Sequence, residues 1–173
     1  MFVPIDTTDM HLESSRLILR GLQQSDLEEY FVIASDREAA QKAEYPPADT
    51  MEDAQQMLNW VIDAGNMFAI VEKTSGKMIG YADLHPSYLE RDERYEQYPL
   101  REVGFAIIAE CRGKGYMPEA LSRILQFCRE EGTLLVTAYH HIDNPASGRV
   151  LEKCGFVFDY ADEAGKYYIC PLP

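Results

Sequence analysis

The stretch EVGFAIIAECRGKGYMPEALSRILQFCREE, from Glu102 to Glu131, decides the fold of this chain. It opens with β-branched and aromatic apolar residues over Val103–Ile108, a run that predicts a strand buried on both faces. Beyond a glycine-containing loop, apolar residues recur at helical spacing and predict an amphipathic helix. The inner stripe of that helix comprises Leu121, Leu125 and Cys128, flanked by Ile124 and Phe127.

The loop between strand and helix, Arg112-Gly113-Lys114-Gly115, has the composition of an anion-binding cradle. Glycines let the backbone approach closely, so that several amide groups and the helix N-terminus can face one phosphate group. Arg112 and Lys114 add full positive charges. Pro118 fits the first helical turn, although it removes one N–H donor. The loop lacks the spacing of the nucleotide P-loop, and by itself such a tetrapeptide is more often a surface turn than a ligand site.

Three segments of the chain resemble one enzyme family. Arg112–Met117 resembles the Arg/Gln-x-x-Gly-x-Gly/Ala acetyl-CoA motif of the GNAT N-acetyltransferases, and Gly115–Leu121 is similar to the RimJ/RimL branch, which acetylates ribosomal proteins. Ser15–Arg20 resembles the opening strand of that branch. Asn144–Ser147, followed by Val150–Phe156, resembles its last helix and the Gly-Phe that follows. Together these segments span most of the chain.

Composition narrows the class of protein. At 173 residues and 46% apolar content, the chain is expected to form a single domain, residues 1–173. A formal net charge of −13 argues against nucleic-acid and anionic-membrane partners. It favours cationic substrates such as amines; the alternative is that the acidic surface only keeps the protein soluble. Four dispersed cysteines without a C-x-x-C pair, and no signal peptide or long apolar run, predict a cytoplasmic protein. Whether it forms a homodimer stays open.

The rest of the chain predicts an α/β (α+β) architecture of order βααβββαβαββ, which matches the GNAT acyl-CoA N-acyltransferase fold: a mixed, mostly antiparallel sheet flanked by helices. Helices are expected to begin at Ser25 and Thr50, and the segment Asp36–Glu44 is also helix-prone. The polar, tyrosine-rich segment His85–Leu100 is expected to be a solvated loop or a substrate lid. The remaining predicted strands are Arg16–Gly21, Met67–Glu72, Lys77–Leu84, Leu134–Tyr139, Phe156–Tyr160 and Lys166–Cys170.

The family resemblance implies where acetyl-CoA lies. It would occupy a splay between the strand ending near Ile108 and the strand Leu134–Tyr139, with backbone groups around Ile107 pairing with the pantetheine amides. Asn144 is interpreted as a helix cap, a cofactor contact, or both. The residues implied to hold the pyrophosphate are Arg112, Gly113, Lys114, Gly115, Tyr116 and Met117. The family pattern has Gly or Ala at position 117, so the methionine fits only with its side chain directed away from the phosphates.

Glu102 is the first candidate for the general base that deprotonates the amine, because many relatives place a glutamate on the cofactor strand. The alternative is an ordinary charge at a strand end, paired with Arg101. Asp83 and His85, at the end of the preceding strand, are rival bases.

Ser147 is the candidate acid for the leaving thiolate. Many GNAT enzymes use a tyrosine at the position of Leu151, and Ser147 lies four residues earlier on the same helical face, where RimL-like relatives have a serine. Tyr139 and Tyr116 are rivals, and a role in satisfying a backbone N–H is the structural alternative. No metal site is predicted, because the adjacent residues His140 and His141 point to opposite faces of a strand.

The leading hypothesis is an acetyl-CoA-dependent N-acetyltransferase in which the amine attacks the thioester directly. The acceptor is either a small amine or a protein N-terminus. A catalytically silent acyl-CoA sensor and a regulatory module that binds another nucleotide are the alternatives. The regions expected to select the acceptor are those before Pro46, the 85–100 loop and the turn Asp159–Gly165.

Overall fold

A computed structural model describes residues 5–42 and 45–172 of the chain. One sheet of eight strands runs through it, in the order β1-β2-β3-β4-β5-β6-β8-β7. The strands are β1 (His11–Glu13), β2 (Leu17–Gly21), β3 (Met67–Glu72), β4 (Met78–His85), β5 (Leu100–Ile107), β6 (Leu135–His141), β7 (Val157–Ala161) and β8 (Gly165–Pro171). The helices are α1 (Leu27–Ala34), α2 (Arg37–Lys42), α3 (Met51–Ala64), α4 (Tyr116–Glu130) and α5 (Pro145–Lys153).

Strand pairing is antiparallel throughout the sheet except between β5 and β6, which are parallel. A parallel pair needs a crossover connection, and α4 supplies it. The predicted mixed, mostly antiparallel sheet is therefore confirmed.

Two hydrophobic clusters cover the two faces of the sheet. On one face α4 and α5 pack against the central strands, and the inner stripe predicted for α4 is buried, with Leu121 1%, Leu125 8% and Cys128 0% exposed. On the other face α1 and α3 pack against β3 and β4 through Ala34, Leu58 and Val71. Thr50 caps α3, and Gly65 ends it in the left-handed conformation, as the sequence predicts.

The predicted order lacks two elements. Strand β1 pairs with β2 at the edge of the sheet, but its three residues, His11–Glu13, are too few and too polar to give a strand pattern. Helix α2 occupies Arg37–Lys42, within the segment judged helix-prone, and residues 43 and 44 lie outside the described part of the chain.

Strand β5 differs from the prediction in its bounds and its burial. It runs from Leu100 to Ile107 rather than from Val103 to Ile108, and residues 104–108 are half-buried rather than covered on both faces. Its register with β6 covers only Leu100–Glu102, opposite Leu135–Thr137. Beyond Glu102 the two strands separate, and the half-buried C-terminal part of β5 lines the resulting opening.

Candidate active site

The opening between β5 and β6 belongs to a cleft of about 1260 Å³. The cleft runs from the α1–α3 face of the sheet, past the end of β5, to the N-termini of α4 and α5. It therefore brings together residues that are far apart in the sequence, among them Asp83, Glu102, Gly115 and Ser147.

The backbone of Ile107 faces the opening. The N–H of Ile108 donates to the carbonyl of Ile79 on β4 at 2.9 Å. Because successive residues of a strand direct their backbone groups to opposite sides, the N–H and C=O of Ile107 point away from β4. Polar backbone groups at an unpaired stretch of strand can pair with an extended ligand that carries amides.

The glycine loop forms the other end of the opening. Gly113 and Gly115 have φ angles of 74° and 79°, and Gly115 is the N-cap of α4. These positive values explain the two glycines, since other residues are strained there. The amides of Tyr116 and Met117 follow in the first helical turn, where N–H groups have no partner within the helix. The loop therefore has the geometry of an anion-binding helix N-terminus.

The side chain of Met117 is only 4% exposed and packs in the core beneath α4. The methionine thus adds packing to the core, and the residue still lies along the lining of the cleft. This placement removes the steric objection to a methionine where the family pattern has Gly or Ala.

Arg16 braces the loop from the start of β2. Its Nη1 donates to the Lys114 carbonyl at 3.0 Å, its Nε donates to Glu119 at 2.7 Å, and its guanidinium lies 4.3 Å from the ring centroid of Tyr116. The hydroxyl of Tyr116 in turn donates to Glu72 on β3. That hydrogen bond raises the pKa of Tyr116, which makes it a weaker acid than a free tyrosine.

The two basic residues of the loop have different surroundings. Arg112 lines the cleft and donates from Nη2 to Asp36 at 2.9 Å, so it ties the loop to the end of α1. Lys114 is exposed and is not among the residues that line the cleft. Lys114 would therefore attract an anion bound at the loop through its charge at a distance rather than through direct contact.

Two carboxylates and a histidine lie on one face of the sheet beside the opening. In the β4–β5 register, Asp83 is opposite Gly104 and His85 is opposite Glu102, so their side chains share a face. A Cβ at Gly104 would lie 2.5 Å from Asp83 Oδ1, which shows that the carboxylate of Asp83 lies across this glycine. His85 Nε2 is 3.5 Å from Asp83 Oδ2.

Asp83 has the electrostatics of a base. Burial raises the pKa of Asp83 above its ordinary value; the neighbouring His85 opposes that rise, and the charge of Glu102 adds to it. A carboxylate with a raised pKa accepts a proton more readily than an exposed one. Of the two rivals to Glu102, Asp83 therefore has the stronger physical case.

Glu102 is half-buried and already engaged. Its Oε2 accepts hydrogen bonds from the Tyr88 N–H at 3.0 Å and from the Thr137 hydroxyl at 2.9 Å. Ser87, beside Tyr88, is buried and contacts Thr137 through its hydroxyl at 2.9 Å. The first residues of the 85–100 loop are therefore fixed against Glu102 rather than solvated as the sequence predicted.

Helix α5 places Ser147 at the cleft. The side chain of Asn144 caps α5 by accepting from the Ser147 N–H, and its Nδ2 donates to Ser147 Oγ at 2.9 Å. Both residues line the cleft, as does Tyr139 on β6. Leu151, at the position where relatives have tyrosine, is fully buried in the core.

A family model described as the acetyltransferase (GNAT) domain matches residues 16–157. The chain belongs to the GNAT acetyltransferase family. The uncharacterized N-acetyltransferase YoaA of Bacillus subtilis (strain 168) is 27% identical over 154 residues, which cover 84% of this chain and 81% of that protein.

Two solved structures share the GNAT fold. Spermidine N-acetyltransferase from Vibrio cholerae, solved with CoA and spermine, has a TM-score of 0.70 at 19% identity and covers 91% of this chain and 96% of its own. Ribosomal-protein-S5-alanine acetyltransferase from Vibrio fischeri has a TM-score of 0.68 at 21% identity, covering 94% and 97%. The predicted fold is confirmed. The two neighbours are named for different acceptors, so the RimJ/RimL branch stays a prediction.

The structure brings nearly all of the predicted site residues of this GNAT protein to one cleft. Lys114 does not line the cleft. The predicted residues that do line it are Ile107, Arg112, Gly113, Gly115, Tyr116, Met117, Asn144, Glu102 and Ser147. Within residues 5–42 and 45–172, no group of three or more potential ligands forms a metal site, and no helix is long and apolar enough to cross a membrane.

The sequence did not single out Arg16 as a functional residue of this GNAT domain, although the loop geometry depends on it.

Replacing Arg16 with alanine removes the hydrogen bond to Lys114 and the contact with Tyr116. We expect Arg16→Ala to weaken acetyl-CoA binding about tenfold, the loss typical of one charge-assisted hydrogen bond. Calorimetric titration measures it. Arg37→Ala, which removes an exposed ion pair with Asp49, is the matched control and should leave affinity unchanged. Equal affinity in both variants would contradict the bracing role.

Proposed function

We propose that this protein transfers an acetyl group from acetyl-CoA to a primary amine by direct attack. The observation that carries the proposal is the meeting of three features in one cleft: the unpaired end of β5, the glycine loop before α4, and the carboxylates Asp83 and Glu102. The first two suit a nucleotide thioester with an amide-containing arm, and the third suits an ammonium group.

The chain has groups suited to each part of acetyl-CoA. The backbone of Ile107 would pair with the pantetheine amides, and Asn144 would add a polar contact from the lining of the same cleft. The amides of Gly113, Gly115, Tyr116 and Met117, with the charges of Arg112 and Lys114, would hold the pyrophosphate. Acetyl-CoA supplies the acetyl group as a thioester, so an N–C bond forms while the C–S bond breaks.

Asp83 is proposed as the proton acceptor. The ammonium of the acceptor gives one proton to Asp83, which passes it to solvent, and the neutral amine then attacks. Glu102, the first candidate from the sequence, accepts two hydrogen bonds and contributes the negative charge that increases the basicity of Asp83. The second proton that the nitrogen loses balances the proton that the departing thiolate gains.

Ser147 is proposed to give its hydroxyl proton to the thiolate and to recover a proton from the newly acetylated nitrogen. Its hydroxyl accepts from Asn144 Nδ2, so its own hydrogen is free to point into the cleft. Leu151 has no proton to give, and the hydroxyl of Tyr116 is directed to Glu72. Tyr139 is the remaining rival acid at the cleft.

Ser147→Ala is expected to lower kcat about tenfold to a hundredfold with little change in acetyl-CoA affinity, because it removes a proton donor and keeps the backbone N–H that Asn144 caps. Initial rates of thiol release measure the effect. Ser122→Ala, which removes a hydroxyl bonded to the Pro118 carbonyl on α4, is the control. Unchanged kcat in Ser147→Ala, with a loss in Tyr139→Phe, would transfer the role to Tyr139.

The alternative functions receive less support. A silent acyl-CoA sensor would not need a carboxylate of raised pKa at the cleft, and membership of an acetyltransferase family disfavours it. A module for another nucleotide would not need the separation of β5 and β6.

The finer assignment is a RimJ/RimL-like enzyme acting on a protein N-terminus or a small amine. The motif Gly115–Leu121 and the serine at position 147 support the branch. The net charge of −13 supports a cationic acceptor, since an acidic field attracts ammonium groups.

Calorimetric titration with acetyl-CoA, repeated in the presence of ATP, tests the cofactor. We expect one-site binding that ATP displaces weakly. No binding at millimolar acetyl-CoA by folded protein, or tighter binding of ATP, would contradict the proposal.

A further inference from the structure

The acceptor side of the cleft has an apolar, aromatic wall. Trp60 on α3 is 73% exposed and lines the cleft, and Val32 on α1 is 50% exposed and lines it as well. Met57, one helical turn before Trp60, adds to the same surface. An exposed tryptophan keeps a large apolar surface in contact with water, so covering that surface with an apolar ligand is favourable.

This wall continues down to the proposed base. Met67 is opposite Asp83 in the β3–β4 register and packs against the cluster formed with α1 and α3. Tyr45 and Tyr81 line the same part of the cleft, with their hydroxyls 3.4 Å apart. Burial raises the pKa of Tyr81 well above its ordinary value, so this side chain stays neutral. The path from the cleft mouth to Asp83 is therefore lined mainly by apolar and aromatic side chains, with Gln56 beside Trp60 as a polar member on α3.

Among the described ion pairs of lysine and arginine, none involves Asp83 or Glu102, the carboxylates at the inner end of this path. Besides Asp83 and Glu102, three carboxylates line the described part of the cleft. Asp36 pairs with Arg112, and Glu38 pairs with Lys42. The third, Glu110, follows β5 next to the glycine loop, on the cofactor side.

We infer that the acceptor carries a single ammonium group on an apolar or aromatic body, and that Trp60 determines this preference. The ammonium is placed at Asp83 and Glu102, and the body lies along α3 against Trp60. A second cationic group would meet apolar side chains or carboxylates that are already paired. This inference rests on the proposed function and specifies its substrate class. Two sources have this chemistry: a free arylalkylamine and a peptide whose N-terminal residue is apolar.

The test compares acceptors at fixed, saturating acetyl-CoA by thiol release. Phenethylamine, a short peptide with N-terminal phenylalanine, and spermidine are the acceptors. We expect kcat/KM for phenethylamine or the peptide to exceed that for spermidine at least tenfold, a ratio typical of a fitted apolar pocket. The better of the two apolar acceptors identifies the source.

Substitutions of Trp60 test whether this residue determines the preference for an apolar acceptor. Trp60→Ala should raise KM for the apolar acceptor about tenfold with kcat nearly unchanged, while Trp60→Phe restores most of the loss. Met51→Ala is the matched control, because Met51 is an exposed apolar residue of the same helix, 42% exposed, that does not line the cleft. Higher kcat/KM for spermidine, or an equal effect of Trp60→Ala on all acceptors, would overturn the inference and leave the transferase assignment intact. Acetyl-CoA binding with no thiol release from any acceptor would overturn both.

Discussion

Asp83→Asn is expected to lower kcat at least a hundredfold while acetyl-CoA affinity stays within about twofold of the wild type, because the variant keeps the shape of the side chain and loses the proton acceptor. The rate of the wild type should rise with pH through the pKa of Asp83, which burial places above 3.8. The variant should lack that dependence. Initial rates of thiol release across pH, with calorimetric affinities beside them, measure both effects.

Glu102→Gln is the matched control for the base. The glutamine oxygen can still accept from the Tyr88 N–H and the Thr137 hydroxyl, so the local structure is preserved. We expect a smaller fall in kcat than in Asp83→Asn, and a shift of the pH profile to lower pH, because the charge that raises the pKa of Asp83 is removed. A larger fall in Glu102→Gln than in Asp83→Asn would return the role of base to Glu102.

Asp83→Asn is also expected to change the stability of the fold. Since the pKa of Asp83 is higher in the folded protein than its ordinary value of 3.8, the folded state binds that proton more tightly than the unfolded chain does. The resulting stabilisation is present below pH 3.8 and is lost as pH rises through the folded pKa. At neutral pH the charge therefore destabilises the fold. Thermal unfolding of Asp83→Asn at pH 7 should occur at or above the wild-type temperature, and this advantage should shrink at acidic pH.

Gly115→Val is expected to weaken acetyl-CoA binding at least a hundredfold. The residue caps α4 with a φ angle of 79°, and a β-branched side chain there would move the loop backbone and cover the amides of the first turn. A Cβ at this position would lie 3.5 Å from Arg16 Nη2, so a larger side chain would also displace the brace. Calorimetric titration measures the loss.

Gly76→Val is the matched control for that variant. Gly76 has a φ angle of 68° in the turn between β3 and β4, where nothing lies within 4 Å of an added Cβ. The two substitutions carry similar backbone strain, and only one touches the cleft. Both variants should lose stability in thermal unfolding, whereas only Gly115→Val should lose acetyl-CoA. Retained affinity in folded Gly115→Val would show that the cofactor binds elsewhere.

Local patterns predicted the elements around the loop. The helical stripe of α4 and the glycines at 113 and 115 are features of short stretches, so their periodicity and backbone demands are readable from the sequence. The three residues of β1 give no such pattern, because the strand forms only by pairing with β2.

The ranking of the two carboxylates depended on tertiary contacts. Asp83 lies on a predicted strand and Glu102 lies immediately before one, and the sequence had no means to show that the carboxylate of Asp83 lies across Gly104. Nor could it show that Tyr88 and Thr137 hydrogen-bond the other, since those contacts span 14 and 35 residues. Burial and long-range hydrogen bonds set proton affinity, and both are properties of the fold.

The 85–100 loop shows the same dependence. Its many charges predicted a solvated excursion, and most of residues 91–99 are exposed as expected. Leu89, however, is 7% exposed and packs with Leu100 and Leu135. That small cluster anchors the loop beside the parallel pair of β5 and β6. Apolar residues isolated within a polar stretch carry no periodic signal, so their burial could not be predicted.

The most direct test of the central claim is whether acetyl leaves CoA for an amine. Protein, acetyl-CoA and phenethylamine are incubated at neutral pH, and free thiol and acetylated amine are quantified, the latter by mass spectrometry. We predict one N-acetylated amine for each thiol released, at a rate that Asp83→Asn reduces at least a hundredfold. Acetyl-CoA binding without any acetylated product, from this amine, spermidine or a peptide N-terminus, would contradict it and make the protein a binding module.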